Sequence, residues 1–186
     1  MTDSAIAVLD IDGTLIDSTY QHALARYRAL RSVGETYPVW RQHRLIGMGG
    51  DHVVTARDLH VAAKERGHRL VLASCGQHRQ VEVFPDMLNA RGIVDDWTTS
   101  ADVEAFKPVS DLLPVALKKL SAPPDASSVM VGDSVRDVEA AKGAGMPAIV
   151  VHSGGFGDDE LQKAGAIALY DTPRDLAKAL DDTPLA

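Results

Sequence analysis

Short apolar runs alternate with stretches of helical periodicity along most of the chain. The first run, Ala5–Asp10, is apolar until it ends on an acid, which is typical of a buried strand in a parallel sheet. Runs of the same character predict strands at Ala5–Asp10, Arg69–Ser74, Trp97–Ser100, Ser128–Gly132, Ala148–His152 and Ala166–Tyr170. Between them, apolar residues on one helix face predict helices over Thr55–Arg66, Leu112–Leu120 and Asp137–Ala144. Because strands alternate with helices, we expect an α/β fold with a parallel central sheet covered on both faces.

A proline interrupts one of the helical patterns. The segment Gln77–Arg91 contains Pro85, which has no backbone N–H to donate and fits best in the first turn of a helix. We therefore expect the helix to break there, with Pro85 opening a second short helix.

The region between the first two predicted strands has helical character throughout. Tyr20, Leu24, Tyr27 and Leu30 form an apolar stripe, which indicates packing rather than ligand contact. Ser18, followed three residues later by Gln21, resembles a capping box at the start of this helix. We therefore divide the chain into a core, residues 1–17 and 55–186, and a small helical cap insertion, residues 18–54.

Composition excludes several classes of function. The chain has 186 residues, of which 45% are hydrophobic and 24% charged, as in an ordinary globular domain. The net charge of −7 and the lack of a basic stripe argue against a nucleic-acid partner. The single cysteine, Cys75, allows no intrachain disulfide, which fits a reducing cytoplasm. The chain shows no signal-peptide pattern and no apolar segment of membrane-spanning length, so we expect no membrane partner.

Acidic residues follow the ends of two predicted strands. Asp10 and Asp12 come directly after the first apolar run, and Gly13 permits an abrupt turn. Asp133 follows the strand that ends at Gly132, and Asp137 comes four residues later. Such acids can hold a divalent cation, attack an electrophile or move a proton. Alone, the first pair would also suit a turn or a calcium-like loop, and Asp137 would suit a helix N-terminus.

Two further segments offer groups that can bind an anion. The strand ending at Ser74 leads into Cys75 and Gly76, so its tip presents a hydroxyl and successive backbone N–H groups. A helix N-cap is the competing interpretation of Ser74. Lys107 precedes Pro108, which keeps it out of helical geometry and lets its side chain point back across the sheet edge. An ordinary surface lysine is the competing interpretation there.

These four segments, in this order, resemble the haloacid dehalogenase superfamily of phosphotransferases. The phosphoglycolate-phosphatase-like members are most similar, since they carry Gly-Asp-Ser-x-x-Asp and a helical cap between the first two strands. The resemblance implies a Rossmann-like three-layer sandwich and a cytoplasmic, Mg²⁺-dependent phosphatase that acts on a small phosphorylated metabolite. Asp at position 12, rather than an aromatic residue or Thr, points to phosphatases and phosphomutases within the superfamily.

The resemblance also implies a role for each motif residue. Asp10 would attack phosphorus and form an aspartyl-phosphate, while Asp12 would protonate the leaving oxygen and then deprotonate the attacking water. The pKa of the Asp12 carboxyl should therefore rise when substrate is bound. Asp10, the backbone carbonyl of Asp12 and Asp133 would hold Mg²⁺, with Asp137 supporting them directly or through water. The phosphoryl oxygens would contact Ser74, Cys75, Gly76 and Lys107.

The cap is short for this family, because Thr55 already begins the helix that leads to the second strand. We therefore expect an open, wet site, and a homodimer is one way to cover it. Arg44 is a candidate for binding a second anionic group of the substrate, and His78 for lining the leaving-group pocket. Both are also ordinary as solvated surface residues.

Three alternatives stay open at this point. A sugar phosphomutase of the β-phosphoglucomutase type shares the two aspartates, but it must keep water from the aspartyl-phosphate. A catalytically weak binding module would retain Mg²⁺ and phosphate sites without efficient turnover. An unstable, fragment-like protein would have residues 32–54 open to proteolysis.

Overall fold

The computed structural model describes residues 4–16, 18–35, 38–39, 53–74, 76–102, 111–123 and 125–186. Across these residues, six strands form one sheet in the order β3-β2-β1-β4-β5-β6, and every neighbouring pair is parallel. The strands are β1 Ile6–Asp10, β2 Arg69–Ala73, β3 Asp96–Thr98, β4 Ser128–Gly132, β5 Ala148–Val151 and β6 Ala168–Tyr170. The central strand β1 is buried at all of its positions, which explains its nearly continuous apolar sequence.

Helices follow the strands and cover the sheet. Those of the described residues are α1 Thr19–Ser32, α2 Val53–Glu65, α3 His78–Val81, α4 Phe84–Met87, α5 Leu112–Lys119, α6 Val135–Gly143, α7 Asp158–Ala164 and α8 Pro173–Lys178. Short 3₁₀ turns span His152–Gly154 and Leu180–Asp182. The turn at His152–Gly154 directly follows β5, at the carboxyl edge of the sheet.

Alternate residues of the strands point into two separate cores, one on each face of the sheet. Ala7 and Leu9 of β1 belong to the core that also contains Leu59 of α2 and Leu176 of α8. Their neighbours Ile6 and Val8 belong to the other core, with the apolar faces of α5, α6 and α7. The period of two along β1 therefore produces three layers, helix, sheet and helix, and the predicted α/β sandwich is confirmed.

The predicted elements differ from the structure mainly at their ends. Helix α6 begins at Val135, two residues before the predicted start, because Ser134 rather than Asp137 is its N-cap. The break at Pro85 is confirmed, since α3 ends at Val81 and α4 carries the proline in its first turn. Strand β3 begins one residue earlier than predicted and ends two residues earlier, at Thr98.

The cap insertion is described only in part. Helix α1 buries Ala23, whereas Tyr20 and Leu24 are exposed. Residues 40–52 lie outside the described residues, so the division into core and cap stays a prediction. Among the helices that the structure describes, none combines the length and the apolar character needed to cross a membrane.

Candidate active site

The acidic residues meet where two adjacent strands end. Strands β1 and β4 are neighbours in parallel register, with Leu9 opposite Val131. Asp10 is the last residue of β1, and Asp133 directly follows β4, so both acids reach the same edge of the sheet. After Asp12 the chain turns sharply at Gly13, whose φ of +96° is one that other residues rarely adopt. Carboxyl ends of parallel strands are where ligands bind in folds of this kind.

Three buried carboxylates form one cluster at this edge. Asp10, Asp133 and Asp137 each offer an oxygen, and these oxygens all lie within 4.8 Å of one another. The three residues are 6%, 0% and 2% exposed. Buried carboxylates this close repel one another unless a cation or a proton lies between them.

The cluster fits Mg²⁺ in both chemistry and size. All the donors are hard carboxylate oxygens, which Mg²⁺ prefers. Opposite ligands of an octahedral Mg²⁺ lie about 4.2 Å apart, since each ligand distance is about 2.1 Å. At most one pair of three ligands can be opposite in an octahedral site, and neighbouring ligands lie about 3.0 Å apart. The donor oxygens, which lie within 4.8 Å of one another, would therefore move closer together when the cation binds.

The Thr14 hydroxyl contacts two members of the cluster, Asp10 and Asp133. Its Oγ1 lies 3.2 Å from an oxygen of Asp10 and 3.1 Å from an oxygen of Asp133, and the residue is fully buried. A hydroxyl has one proton, so it donates to one of these carboxylates at a time. The sequence interpretation assigned Thr14 no role, although it stands next to Gly13 in the first motif.

The N-terminus of α6 holds Asp137 in place. Asp137 Oδ2 accepts hydrogen bonds from the backbone N–H of Asp133 at 3.2 Å, from the backbone N–H of Ser134 at 3.1 Å and from Ser134 Oγ at 2.6 Å. Ser134 Oγ in turn accepts from the Asp137 N–H, which completes a capping box. Three donors therefore converge on one oxygen of Asp137 and fix the direction of its carboxylate.

Asp12 lies apart from the cluster, and three side chains contact its carboxylate. Ser18 Oγ donates to Oδ1 at 2.6 Å, His22 Nε2 lies 3.4 Å from the same oxygen, and Ser74 Oγ donates to Oδ2 at 3.4 Å. Ser18 makes no side-chain hydrogen bond to its helix, so the predicted capping box is wrong. The contact with an ionised carboxylate replaces the cap.

The environment of Asp12 favours its ionised form in the substrate-free chain. Burial raises the pKa of this carboxyl, but hydrogen bonds from His22, Ser18 and Ser74 and the charge of His22 together hold the pKa below its usual value. The hydrogen bond to Asp12 raises the pKa of the His22 imidazole. The expected rise of the Asp12 pKa concerns the substrate-bound state and stays a prediction.

The loop after β2 forms a small turn beside Asp12. Ser74 Oγ accepts a hydrogen bond from the Gly76 N–H at 2.9 Å, and the Ser74 N–H donates to Thr98 Oγ1 at 3.2 Å. Helix α3 takes Gln77 as its N-cap, so the interpretation of Ser74 as the N-cap is wrong. Cys75 lies outside the described residues.

The remaining candidates are not part of the described cluster. Lys107 and Arg44 both fall outside the described residues. His78 has a side chain that is 63% exposed and pairs with Glu82 at 3.0 Å, as a surface residue on one helix face does. Ser18 and His22 were missed as site residues because their sequence signal is that of a helix start.

Comparisons with known proteins point to one family. A family model described as HAD-hydrolase-like matches residues 105–182. An uncharacterised protein from the fgs 3′ region of Lacticaseibacillus casei is 34% identical over 143 residues, which are 75% of this chain and 59% of that protein. The protein CbbY of Cereibacter sphaeroides is 36% identical over 118 residues, 62% of this chain and 50% of CbbY. The chain thus spans between half and three-fifths of these curated relatives.

A solved structure covers nearly the whole chain. A hydrolase from Pseudomonas syringae superposes with a TM-score of 0.83 at 27% identity, over 96% of this chain and 99% of that one. Similarity at this level extends across both the core and the described part of the insertion.

Proposed function

Because this chain belongs to the haloacid dehalogenase superfamily, we propose that it is a Mg²⁺-dependent phosphomonoester hydrolase acting on a small phosphorylated metabolite. One observation carries the proposal. Asp10 is buried at a strand end among two further carboxylates, and a fourth carboxylate, that of Asp12, stands two residues away in a separate hydrogen-bonded setting. Nucleophile and proton-transfer group thus have different environments, as the two roles require.

In the proposed reaction Asp10 is the nucleophile. Its carboxylate oxygen attacks phosphorus in line, a bond forms between Asp10 and phosphorus, and the bond from phosphorus to the ester oxygen breaks. Asp12, which is ionised in the substrate-free chain, takes up a proton from solvent as substrate binds, and the leaving oxygen then takes that proton from Asp12. A water molecule then attacks the aspartyl-phosphate and loses its proton to Asp12, which releases inorganic phosphate and restores both carboxyl groups.

Mg²⁺ would be held by Asp10, Asp133 and Asp137, with the backbone carbonyl of Asp12. When bound, the cation would supply positive charge that offsets the negative charges of these carboxylates and of the phosphate. Thr14 keeps Asp10 and Asp133 in fixed relation through its hydroxyl. This arrangement orients the attacking oxygen before substrate arrives.

Groups beside Asp12 are suited to the phosphoryl oxygens. Ser74 Oγ lies 3.4 Å from Asp12, so a phosphoryl group between Asp10 and Asp12 would come within its reach. We assign Ser74, the backbone of Cys75 and Gly76, and Lys107 to this role. Ser18 and His22 come from the insertion and fix the direction of the Asp12 carboxylate.

Phosphate release from a generic aryl phosphate tests the proposal. We expect release that requires Mg²⁺ and disappears in Asp10→Asn, while Asp159→Asn, at an 88% exposed side chain, retains it. Isomer exchange of a sugar phosphate without release of phosphate would indicate a phosphomutase instead. Binding of Mg²⁺ and phosphate without either reaction would indicate a binding module.

A further inference from the structure

The 3₁₀ turn after β5 packs directly against Asp133. A Cβ atom at Gly154 would lie 1.7 Å from the backbone oxygen of Asp133, 2.6 Å from its carbonyl carbon and 2.9 Å from its Oδ2. Side chains cannot approach backbone this closely, so only glycine fits. The φ of Gly154 is not among the positive values, whereas that of Gly155 is +61°. The requirement at Gly154 is therefore for space and not for an unusual conformation.

The peptide group that Gly154 touches also holds Asp137. The carbonyl oxygen of Asp133 and the N–H of Ser134 belong to one rigid peptide plane. That N–H donates to Asp137 Oδ2 at 3.1 Å. A side chain at position 154 would displace this carbonyl oxygen and rotate the peptide plane. The rotation would move Asp133 and weaken the hydrogen bond from the Ser134 N–H that orients Asp137.

A second glycine makes a comparable contact from the strand side. A Cβ atom at Gly132 would lie 2.5 Å from Asp137 Cβ and 2.6 Å from its carboxyl carbon. Gly154 thus packs closely against Asp133, and Gly132 packs closely against Asp137. These close contacts leave little room for either carboxylate to move.

We propose that Gly154 is a positioning residue of the cation site, acting through the peptide group between Asp133 and Ser134. The inference rests on the proposed cation site but not on any particular substrate. Residues that orient metal ligands typically change metal affinity by about 10- to 100-fold when they are altered. We expect Gly154→Ala to weaken Mg²⁺ binding by at least about tenfold.

Direct titration of the substrate-free protein by calorimetry tests this. Gly143→Ala is the matched control, because Gly143 is exposed near the end of α6 and a Cβ there would meet nothing within 4 Å. Mg²⁺ demands a tighter geometry than Ca²⁺, so Gly154→Ala should lose more affinity for Mg²⁺ than for Ca²⁺. A folded Gly154→Ala protein that binds Mg²⁺ as tightly as the control would overturn the proposal. A wild-type chain that binds neither cation would overturn the proposed function as well.

Hydrogen exchange on the wild-type chain gives an answer even where Gly154→Ala does not fold. Coupling between two sites is reciprocal. If Gly154 constrains the peptide group after Asp133, saturating Mg²⁺ bound at Asp133 must therefore make the 3₁₀ turn that contains Gly154 open less often. Amides of residues 152–155 should therefore exchange more slowly with Mg²⁺ present. Exchange there that is the same with and without Mg²⁺ would contradict the proposal.

Discussion

His60 predicts a specific loss of stability in acid. Its side chain is fully buried on α2, and neither ring nitrogen has a hydrogen-bond partner in the described part of the chain. Burial, with a smaller contribution from the charge of Arg57, lowers the pKa of His60 to about 4, against an ordinary value of 6.5. The folded chain therefore keeps this imidazole neutral at pH values where the unfolded chain protonates it.

The direction and size of the effect follow from this difference. Between pH 6.5 and 4 the unfolded state binds more protons than the folded state, so stability falls as the pH falls. The part of the free energy of unfolding that depends on a neutral His60 is fully present above pH 6.5 and is lost progressively as the pH falls toward 4. A difference of about 2.5 pH units corresponds to about 3 kcal/mol in the free energy of unfolding.

Urea unfolding of wild type and His60→Leu at pH 7.5 and at pH 4 isolates this contribution. Carboxylates also titrate in this range, but they do so in both proteins, so the difference between the two profiles belongs to His60. We expect the wild type to lose about 3 kcal/mol more than His60→Leu. At pH 7.5 the variant should be as stable as wild type or more so, because it removes two buried nitrogens that lack partners. Parallel profiles would refute this reasoning, and His78→Leu, at an exposed site, serves as the control.

Two further predictions concern hydroxyl groups of the site. Thr14→Val keeps the shape but removes the contact with Asp10 and Asp133, so kcat for phosphate release should fall by about tenfold. The free energy of unfolding should also fall, by about 1–3 kcal/mol, because buried carboxylates lose a donor. An unchanged kcat in the folded variant would show that the hydroxyl does not orient Asp10. Ser18→Ala removes a donor that holds the Asp12 pKa low, so the pKa should rise, and the alkaline limb of kcat/KM against pH, where Asp12 loses the proton that it must donate, should move up by about one pH unit. An alkaline limb that stays in place would mean that it belongs to another group.

The strands and their acidic ends were predictable because a strand that is buried on both faces has a nearly continuous apolar sequence, and the acid that ends it stands out. Strand β4, like β1, is almost wholly apolar and then meets an acid, and parallel strands bring such ends to one edge. That Asp10 and Asp133 share an edge therefore followed from the order of elements. Their actual adjacency depends on the strand order, which local pattern does not contain.

Several contacts could not be predicted because they join residues that are distant in sequence. The Thr14 hydroxyl meets Asp133 across 119 positions, and nothing near Thr14 indicates this partner. Ser18 had a local signal for a helix cap, but the nearby ionised carboxylate of Asp12 competes for its hydroxyl and is the stronger acceptor. Gly154 lies in a segment with ordinary turn composition, and its need for glycine appears only when β5 stands beside β4.

The same limit applies to His60. Its place on the inner face of α2 was compatible with the helical pattern, but a sequence does not state that both ring nitrogens lack partners. Such a residue reduces stability in acid, so it is an informative site for the urea experiment above.

Identification of the phosphorylated residue tests the central claim most directly. The protein is mixed with an aryl phosphate and Mg²⁺, quenched in acid within a single turnover, and digested for mass spectrometry. We predict one phosphoryl group on the peptide that contains Asp10, and none on the same peptide from Asp10→Asn, which should also release no phosphate. Steady phosphate release from Asp10→Asn, or a phosphoryl group attached to any other residue, would contradict the assignment of Asp10 as the nucleophile.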